Sequence, residues 1–339
     1  MKSRYANMPV TFRVLRAMQT DGRTTAAVEW ARLYDLSPGE VVIRACYSDV
    51  NYKDALAATG RNGIIRQFPR VPGIDVAGVV ESSSDPRFRA GDPVLVTGYE
   101  FGTGHDGGYA EYVRAPADWV VPVPDGLSLY EAMALGTAGF TVALCMKRLE
   151  ENGQRPGQGP IAVTGATGGV GSIAIDVLSR LGYSVTAITG KSGDADYLRM
   201  LGAAEVLDRQ SIVYGSQPLE RAIWAGAIDN VGGETLAWLT RTAKPWGNIC
   251  AVGLAGGTGL NATVLPFILR GVALLGVTAS NCVPEWREGL WRRLATDLKP
   301  RHLAAMVRRE VTLDELPAVF DAMLAGTLTG RTVVRIAEP

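Results

Sequence analysis

The chain has 339 residues, more than one compact hydrophobic core usually holds, so two domains are expected. Its 34 Lys and Arg equal its 34 Asp and Glu, which argues against a surface for nucleic acid or an anionic membrane. The four cysteines lack metal-ligand spacing and are typical of a reduced protein. The longest apolar run, 132–146, is too short to span a bilayer. We therefore expect a soluble, cytoplasmic protein.

The first 130 residues are predicted to form an all-β module. Short β-branched runs at 41–43, 76–80 and 93–96 alternate with Gly, Pro and Asp turns, as in small barrels. A helical stretch at 130–149 follows and carries the sequence Gly136-Thr-Ala-Gly-Phe-Thr141.

A glycine-rich turn then opens a predicted βαβ unit. Residues 161–163 have the composition of a buried parallel strand, apolar residues recur with helical spacing over 170–181, and 184–189 gives a second strand. Such a turn lets the backbone approach a pyrophosphate at the helix N-terminus. The alternative is a tight turn in an α/β fold that binds no nucleotide. The candidate cofactor contacts in this turn are Gly165, Thr167, Gly168, Gly169, Val170 and Gly171.

The end of the second strand indicates which dinucleotide binds. An NAD site usually has an acidic residue about twenty residues after the glycines, where it binds the ribose hydroxyls. Here Thr189-Gly190-Lys191 stands at that place, and Lys191 follows Gly171 by twenty residues. A cation beside a small hydroxyl residue suits a 2′-phosphate, so the sequence predicts NADPH, with a solvated loop lysine as the alternative.

Four more strands are predicted at 204–207, 225–228, 249–253 and 274–277, and the tail ends in helices and a strand at 331–336. The simplest architecture that fits this order of elements is a nucleotide-binding domain with a doubly wound parallel sheet, inserted into the β-rich domain. We predict a catalytic domain at 1–130, a Rossmann domain at 131–282 and a segment at 283–339 that returns to the catalytic domain.

Several motifs carry a resemblance that runs nearly end to end. The chain resembles zinc-free members of the medium-chain dehydrogenase/reductase superfamily, and more closely the acryloyl-CoA reductase family, whose members are often labelled quinone oxidoreductases. The motifs are Asn51-Tyr-Lys-Asp-Ala-Leu56, Pro72-Gly-Ile-Asp-Val-Ala-Gly78, Gly136-Thr-Ala-Gly-Phe-Thr141, Trp224-Ala-Gly-Ala-Ile-Asp229 and Gly330-Arg-Thr332.

The resemblance implies a GroES-like barrel for the β-rich domain and a homodimer that pairs through 274–277. It also implies NADPH-dependent reduction of acryloyl-CoA, or a related short enoyl-CoA, to propanoyl-CoA. Two alternatives remain open: an NADPH-dependent quinone or enone oxidoreductase, and a dinucleotide-binding structural or regulatory protein without activity.

No metal is expected. Zinc members of the superfamily have Cys-His-x-Asp where this chain has Asn51-Tyr-Lys-Asp54, and Gly-His-Glu where it has Gly73-Ile-Asp75. An asparagine amide and an isoleucine do not replace thiolate or imidazole ligands of zinc. The two histidines, His105 and His302, have no ligand-spaced partner.

Without a metal, the chemistry depends on hydrogen-bond donors and a proton source. Tyr52 is the candidate proton donor, unless its ring only packs against the cofactor, and Asn51 is expected to orient Tyr52 or the substrate. Lys53 and Asp54 are interpreted as a structural surface pair, with a role in tuning Tyr52 as the alternative. Thr137 is a candidate nicotinamide contact, with a hydroxyl bonded to its own helix backbone as the alternative. The remaining candidate cofactor contacts, from fold and resemblance, are Arg209, Gly253, Leu254, Ile268 and Ser280.

Overall fold

The computed structural model describes residues 10–337, which form two compact units. The first comprises the described residues up to Thr137, together with Ala279–Ala295 and those from Val307 onward. The second comprises Ala138–Thr278 and Thr296–Met306. The predicted domain boundaries after residues 130 and 282 stay predictions.

Fifteen strands and nine helices occur within the described residues. The strands are β1 (Phe12–Thr20), β2 (Arg23–Ala31), β3 (Val41–Asp49), β4 (Asp75–Ser83), β5 (Pro93–Thr97), β6 (Tyr112–Ala115), β7 (Val120–Pro122), β8 (Ile161–Thr164), β9 (Val185–Thr189), β10 (Glu205–Asp208), β11 (Trp224–Asp229), β12 (Ala243–Ala251), β13 (Ala273–Gly276), β14 (Val307–Val311) and β15 (Arg331–Arg335). The helices are α1 (Tyr52–Ala58), α2 (Leu129–Glu151), α3 (Gly169–Arg180), α4 (Ala195–Met200), α5 (Gly233–Thr242), α6 (Leu265–Arg270), α7 (Pro284–Ala295), α8 (Leu303–Met306) and α9 (Leu316–Leu324).

The first unit is built on a mostly antiparallel sheet. Its strands follow the order β14-β15-β3-β4-β5-β7, β6 pairs with β3, and β1 and β2 form a separate two-stranded ribbon. Apolar side chains from both sheets, from the loop after β5 and from α9 fill a core that includes Phe12, Ile43, Phe101 and Phe320. The β-rich prediction for this part is confirmed, although α1 interrupts the predicted all-β stretch.

The second unit has a parallel sheet in the order β10-β9-β8-β11-β12-β13. The chain moves outward from β8 through β9 to β10, and then returns to the other side of β8 for β11. The topological switch point therefore lies between β8 and β11, where ligands bind in doubly wound folds. The predicted doubly wound sheet is confirmed. Strand β12 begins earlier than predicted, at Ala243 instead of residue 249.

Helix α2 contains a break at Gly136. The break has φ 50° and ψ −153°, a conformation that only glycine adopts readily. A Cβ atom on Gly136 would overlap the carboxylate of Asp49 and lie 2.9 Å from Oδ2 of Asp75. Glycine is therefore required here for both its dihedral angles and the close approach of two acidic side chains.

Helix α2 is also long and apolar enough by composition to cross a membrane, with a mean hydropathy of 1.4 over its most apolar window. Of that window, 78% is buried inside the protein, as is usual for a core helix. The apolar run at 132–146 is thus the middle of a longer helix, which extends beyond the run at both ends.

We expect Gly136→Ala to destabilise the first unit by about 3 kcal/mol or more, because backbone strain and overlap with Asp49 add together. Gly22→Ala is the matched control, since Gly22 also has a positive φ of 76° but no atom within 4 Å of an added Cβ. The control should lose only about 1 kcal/mol. Urea unfolding followed by tryptophan fluorescence measures both; equal losses would contradict the overlap argument.

Candidate active site

The start of α1 carries the residues predicted for catalysis. Asn51 is its N-cap, and the backbone N–H of Asn51 donates to Asp54 Oδ2 at 2.8 Å as half of a capping box. This local motif explains why a helix forms inside the β-rich region. Tyr52 is the first helical residue, and 45% of its surface is exposed, so its phenol is accessible to a ligand.

Five polar side chains around Asn51 form a hydrogen-bonded group, which we call the acid network: Asp49, Asp75 and Arg331, which are buried, and Asn51 and Thr137, which are partly buried. The Asn51 amide nitrogen donates to Asp49 at 2.6 Å and to Asp75 at 2.8 Å. Thr137 donates to Asp75 through its backbone N–H at 2.7 Å and its hydroxyl at 2.6 Å. Arg331 pairs with Asp49. Asn51 therefore fixes the start of α1 and has no amide hydrogen left for a substrate.

Two acidic side chains near Asn51, Asp49 and Asp54, are hard to ionise. Burial, and then the charge of Asp75, hold the pKa of Asp49 well above its ordinary value, against the pull of Arg331. The same two causes raise the pKa of Asp54 to about 7, although the backbone N–H groups of Asn51 and Ile74 favour its ionised form. A proton is thus held behind Tyr52 near neutral pH.

The expectation that Lys53 and Asp54 form a surface pair is wrong. Asp54 is fully buried, and its Oδ1 accepts the backbone N–H of Ile74 at 2.8 Å. Lys53 instead donates from Nζ to the hydroxyl of Ser280 at 2.9 Å. The residues lie in one capping turn, where Asp54 faces the interior and Lys53 reaches a distant loop.

The predicted glycine turn lies between β8 and α3. Gly168 is the N-cap of α3, and the first helical N–H groups there have no partner within the helix. A Cβ on Gly171 would overlap the carbonyl oxygen of Gly165, so the turn closes only with glycine at that position. Thr167 is buried, whereas Gly169 and Val170 are partly exposed in the first turn of α3. This geometry fits a pyrophosphate at the α3 N-terminus.

Two cations lie together at the ends of neighbouring strands. β9 and β10 pair with Thr189 opposite Asp208, so Lys191 and Arg209 follow the same edge of the sheet. The Lys191 N–H donates to the Thr189 hydroxyl at 3.0 Å, and a Cβ on Gly190 would lie 3.3 Å from an Arg209 guanidinium nitrogen. The Arg209 side chain forms no ion pair or hydrogen bond within residues 10–337. The pair suits a 2′-phosphate.

At the switch point, sequence reasoning missed Asn230. Its amide nitrogen donates to the Thr164 carbonyl at 2.7 Å, while its buried Oδ1 has no partner among the described residues. A Cβ atom placed on Gly165 would lie 3.2 Å from the Cβ atom of Asn230. A Cβ atom placed on Gly253 would overlap the carbonyl oxygen of Asn230. Asn230 therefore joins the glycine turn to the loop after β12, and its free acceptor fits a bound dinucleotide.

The other predicted cofactor contacts are more exposed. Leu254 follows Gly253 and is 50% exposed, and Ile268 on α6 is 69% exposed. Gly253 lies against the backbone of Asn230 at the switch point. The prediction for Ile268 stays untested.

Zinc does not fit the residues at the expected ligand positions. Within residues 10–337, no group of three or more His, Cys, Asp or Glu is arranged to hold a metal ion. The Asn51 amide is engaged by two aspartates, and Ile74 is a buried hydrocarbon. Both ring nitrogens of His105 lie against carbonyl oxygens, and Nδ1 of His302 contacts Asp176 at 2.6 Å.

The structure thus gathers the predicted residues into two groups. Asn51, Tyr52, Thr137 and Ser280 lie in the first unit, and the glycine turn, the 189–191 loop and Arg209 lie in the second. Sequence reasoning missed Asp49, Asp75 and Arg331 as site residues. A signal existed for two of them, because Asp75 and Arg331 stand inside motifs that carried the resemblance.

Comparison with known proteins gives matches over both units. Residues 37–125 match the family model for the alcohol dehydrogenase GroES-like domain, and residues 169–296 match the model for zinc-binding dehydrogenases. The first match confirms the predicted GroES-like domain.

Similar proteins extend over almost the whole chain. The acrylyl-CoA reductase AcuI of Ruegeria pomeroyi is 48% identical over 319 residues, which cover 94% of this chain and 96% of AcuI. The putative quinone oxidoreductase YhfP of Bacillus subtilis is 45% identical over 330 residues, 97% of this chain and 100% of YhfP. The YhfP structure with NAD bound has a TM-score of 0.93 and covers 96% of this chain and 100% of its own.

The structure of Escherichia coli K-12 YhdH with bound NADPH has a TM-score of 0.92 at 46% identity, and it covers 95% of this chain and 99% of YhdH. The chain therefore belongs to the medium-chain dehydrogenase/reductase superfamily and, within it, to the family of AcuI and YhdH.

Proposed function

We propose that this enzyme reduces the α,β double bond of acryloyl-CoA, or of a related short enoyl-CoA, to the saturated thioester. It is an NADPH-dependent oxidoreductase that acts on carbon–carbon double bonds. The observation that carries the proposal is the start of α1, where an accessible phenol is fixed by a hydrogen-bonded cap and no metal ligand is available. The AcuI relative, similar over nearly its full length, supports the substrate class.

NADPH is the cofactor that the second unit is equipped to hold. The α3 N-terminus offers N–H donors for the pyrophosphate, Lys191 and Arg209 suit the 2′-phosphate, and Asn230 offers a free acceptor at the switch point. When bound, NADPH supplies the hydride. The YhdH structure with NADPH supports this assignment over NADH.

Tyr52 and Asn51 act in the protonation of the substrate. Hydride addition to the β-carbon gives an enolate, whose single negative charge is shared by the thioester oxygen and the α-carbon; the α-carbon must then take a proton. The Tyr52 hydroxyl donates this proton, and Asn51 holds Tyr52 in place through its bonds to Asp49 and Asp75. Asn51 is thus a positioning residue.

Quinone or enone reduction is the second candidate, because the YhfP relative is named a putative quinone oxidoreductase. Both reactions use the same hydride donor and an acceptor with a conjugated carbonyl group. They differ in the need to bind the CoA moiety.

The assembly we infer is a homodimer in the cytoplasm. Strand β13 is an edge of the parallel sheet and offers unpaired backbone groups for a second copy. Val264, Ile268 and Leu269 of the neighbouring segment are largely exposed apolar side chains, which pairing would cover. The four cysteines are buried and form no disulfide within residues 10–337, which fits a reducing compartment.

Oxidation of NADPH with three acceptor conditions tests the activity: acryloyl-CoA, a benzoquinone and no acceptor. We expect rapid oxidation with acryloyl-CoA and formation of propanoyl-CoA by mass spectrometry, with one deuterium at the β-carbon when NADPH carries deuterium at C4. Oxidation with the quinone alone would favour the second candidate, and NADPH binding without turnover would favour a non-enzymatic role.

Removing the cations at the strand ends tests the cofactor choice. We expect Lys191→Asp and Arg209→Gln each to lower kcat/KM for NADPH by about 10- to 100-fold, equivalent to about 1.5–3 kcal/mol for a lost charge-assisted contact. The value for NADH should change little. Arg221→Gln removes an exposed cation elsewhere in the same unit and should leave both values unchanged. An unaltered NADPH/NADH ratio would show that the two cations do not bind the 2′-phosphate.

Tyr52→Phe tests the proton donor, since it removes the hydroxyl and keeps the ring. We expect turnover to fall about 10²–10³-fold, as for the loss of one transition-state donor, with little change in the NADPH dissociation constant. If Tyr52 only packs, the Phe variant keeps normal turnover and Tyr52→Ala chiefly weakens NADPH binding. Stopped-flow turnover and fluorescence titration separate the two roles.

A further inference from the structure

The residue after Tyr52, Lys53, contacts a hydroxyl group that lies 227 positions away in the chain. Lys53 is half-buried, and its Nζ donates to Ser280 Oγ at 2.9 Å. Within residues 10–337 this is the only hydrogen bond of the ammonium group, which forms no ion pair there. An ammonium has three N–H donors, so two remain for a bound molecule.

The loop that carries Ser280 is braced. The Arg287 guanidinium, which is buried, donates to the carbonyl oxygens of Ala279 at 2.8 Å and Ser280 at 3.2 Å. The same guanidinium lies 4.0 Å from the ring centroid of Tyr99, whose backbone N–H donates to the Ser280 carbonyl at 3.0 Å. The Ser280 hydroxyl is therefore a fixed acceptor, and it limits where the Lys53 ammonium can lie.

Two neighbouring cations in the same unit are already engaged by the protein itself. Arg331 pairs with Asp49 and donates to the Ala134 carbonyl at 2.8 Å. Arg287 donates to the Thr97 carbonyl at 2.8 Å, in addition to its contacts in the Ser280 loop. Both are buried, whereas Lys53, which follows the accessible Tyr52 in the first turn of α1, is half-buried and has two N–H donors to spare.

We propose that Lys53 is a catalytic residue of the reduction, a role that rests on the proposed function. Its ammonium contacts the carbonyl oxygen of the conjugated acceptor. Hydride addition forms a C–H bond at the β-carbon, breaks the C=C π bond and moves that electron pair onto this oxygen, with oxidation of NADPH to NADP⁺. Lys53 keeps its proton and stabilises the enolate charge; the proton that then adds to the α-carbon comes from Tyr52. Ser280 is the positioning residue for Lys53.

Substitutions of Lys53 test this role. We expect Lys53→Met to lower kcat about 10²–10³-fold and to leave the NADPH dissociation constant within about twofold. Lys53→Arg keeps the charge and should recover most of the loss, and Ser280→Ala should lower kcat by about tenfold. Arg23→Met, which removes an exposed cation at the β1–β2 turn, is the matched control and should behave as the unaltered enzyme. Circular dichroism and the melting temperature show that each variant is folded.

Chemical rescue separates a catalytic ammonium from a structural one. Ethylammonium added to Lys53→Ala should raise turnover at least tenfold, whereas tetramethylammonium, which has no N–H, should not. Normal kcat in Lys53→Met, or a loss that appears only as weaker NADPH or substrate binding, would overturn the proposal. If the unaltered enzyme reduces a quinone but not acryloyl-CoA, the proposed substrate is wrong; the same variants assayed with the quinone then decide the role of Lys53, because that acceptor also develops charge on a carbonyl oxygen.

Discussion

Two buried carboxyl groups, those of Asp49 and Asp75, share the amide of Asn51, and the position of α1 depends on this contact. Like charges close together in an apolar interior repel each other and are poorly solvated, so they persist only with donors around them. Arg331, Thr137 and Asn51 supply those donors. The break at Gly136 lets both carboxyl groups approach, which links the start of α1 to the geometry of α2.

Much of the second unit could be predicted because its determinants are local. The β-branched run, the glycine turn and the helical periodicity that follow one another from residue 161 to residue 181 specify a βαβ unit without reference to the rest of the chain. The twenty positions from Gly171 to Lys191 span α3 and β9, so Lys191 follows the end of β9, and its contact with the cofactor stays a prediction. Arg209 was predicted as a contact, and the parallel register of β9 and β10 is what brings it to Gly190.

The acid network could not be predicted in the same way. Asn51 lies 24 positions from Asp75, and Arg331 lies 282 positions from Asp49, so sheet pairing rather than periodicity brings these residues together. The capping box of Asn51 and Asp54 was a local signal that a helix begins at Tyr52, but the surrounding strand-and-turn pattern masked it. Reading Lys53 and Asp54 as a surface pair failed for a related reason: adjacent residues in a first helical turn point in different directions.

The raised pKa of Asp54 shows that its burial lowers the stability of the folded chain at neutral pH. The pKa in the folded chain is about 7, above the ordinary value of 3.8, so between these pH values the folded chain binds more protons than the unfolded chain. The contribution of Asp54 to the free energy of unfolding therefore falls as the pH rises through that interval, and across the whole interval the loss is about 4 kcal/mol. An apolar residue at this position would avoid the loss, but it would leave the buried N–H of Ile74 without an acceptor and remove the cap of α1. The acid is retained because the start of α1, and with it Tyr52, is fixed only while both N–H groups are satisfied.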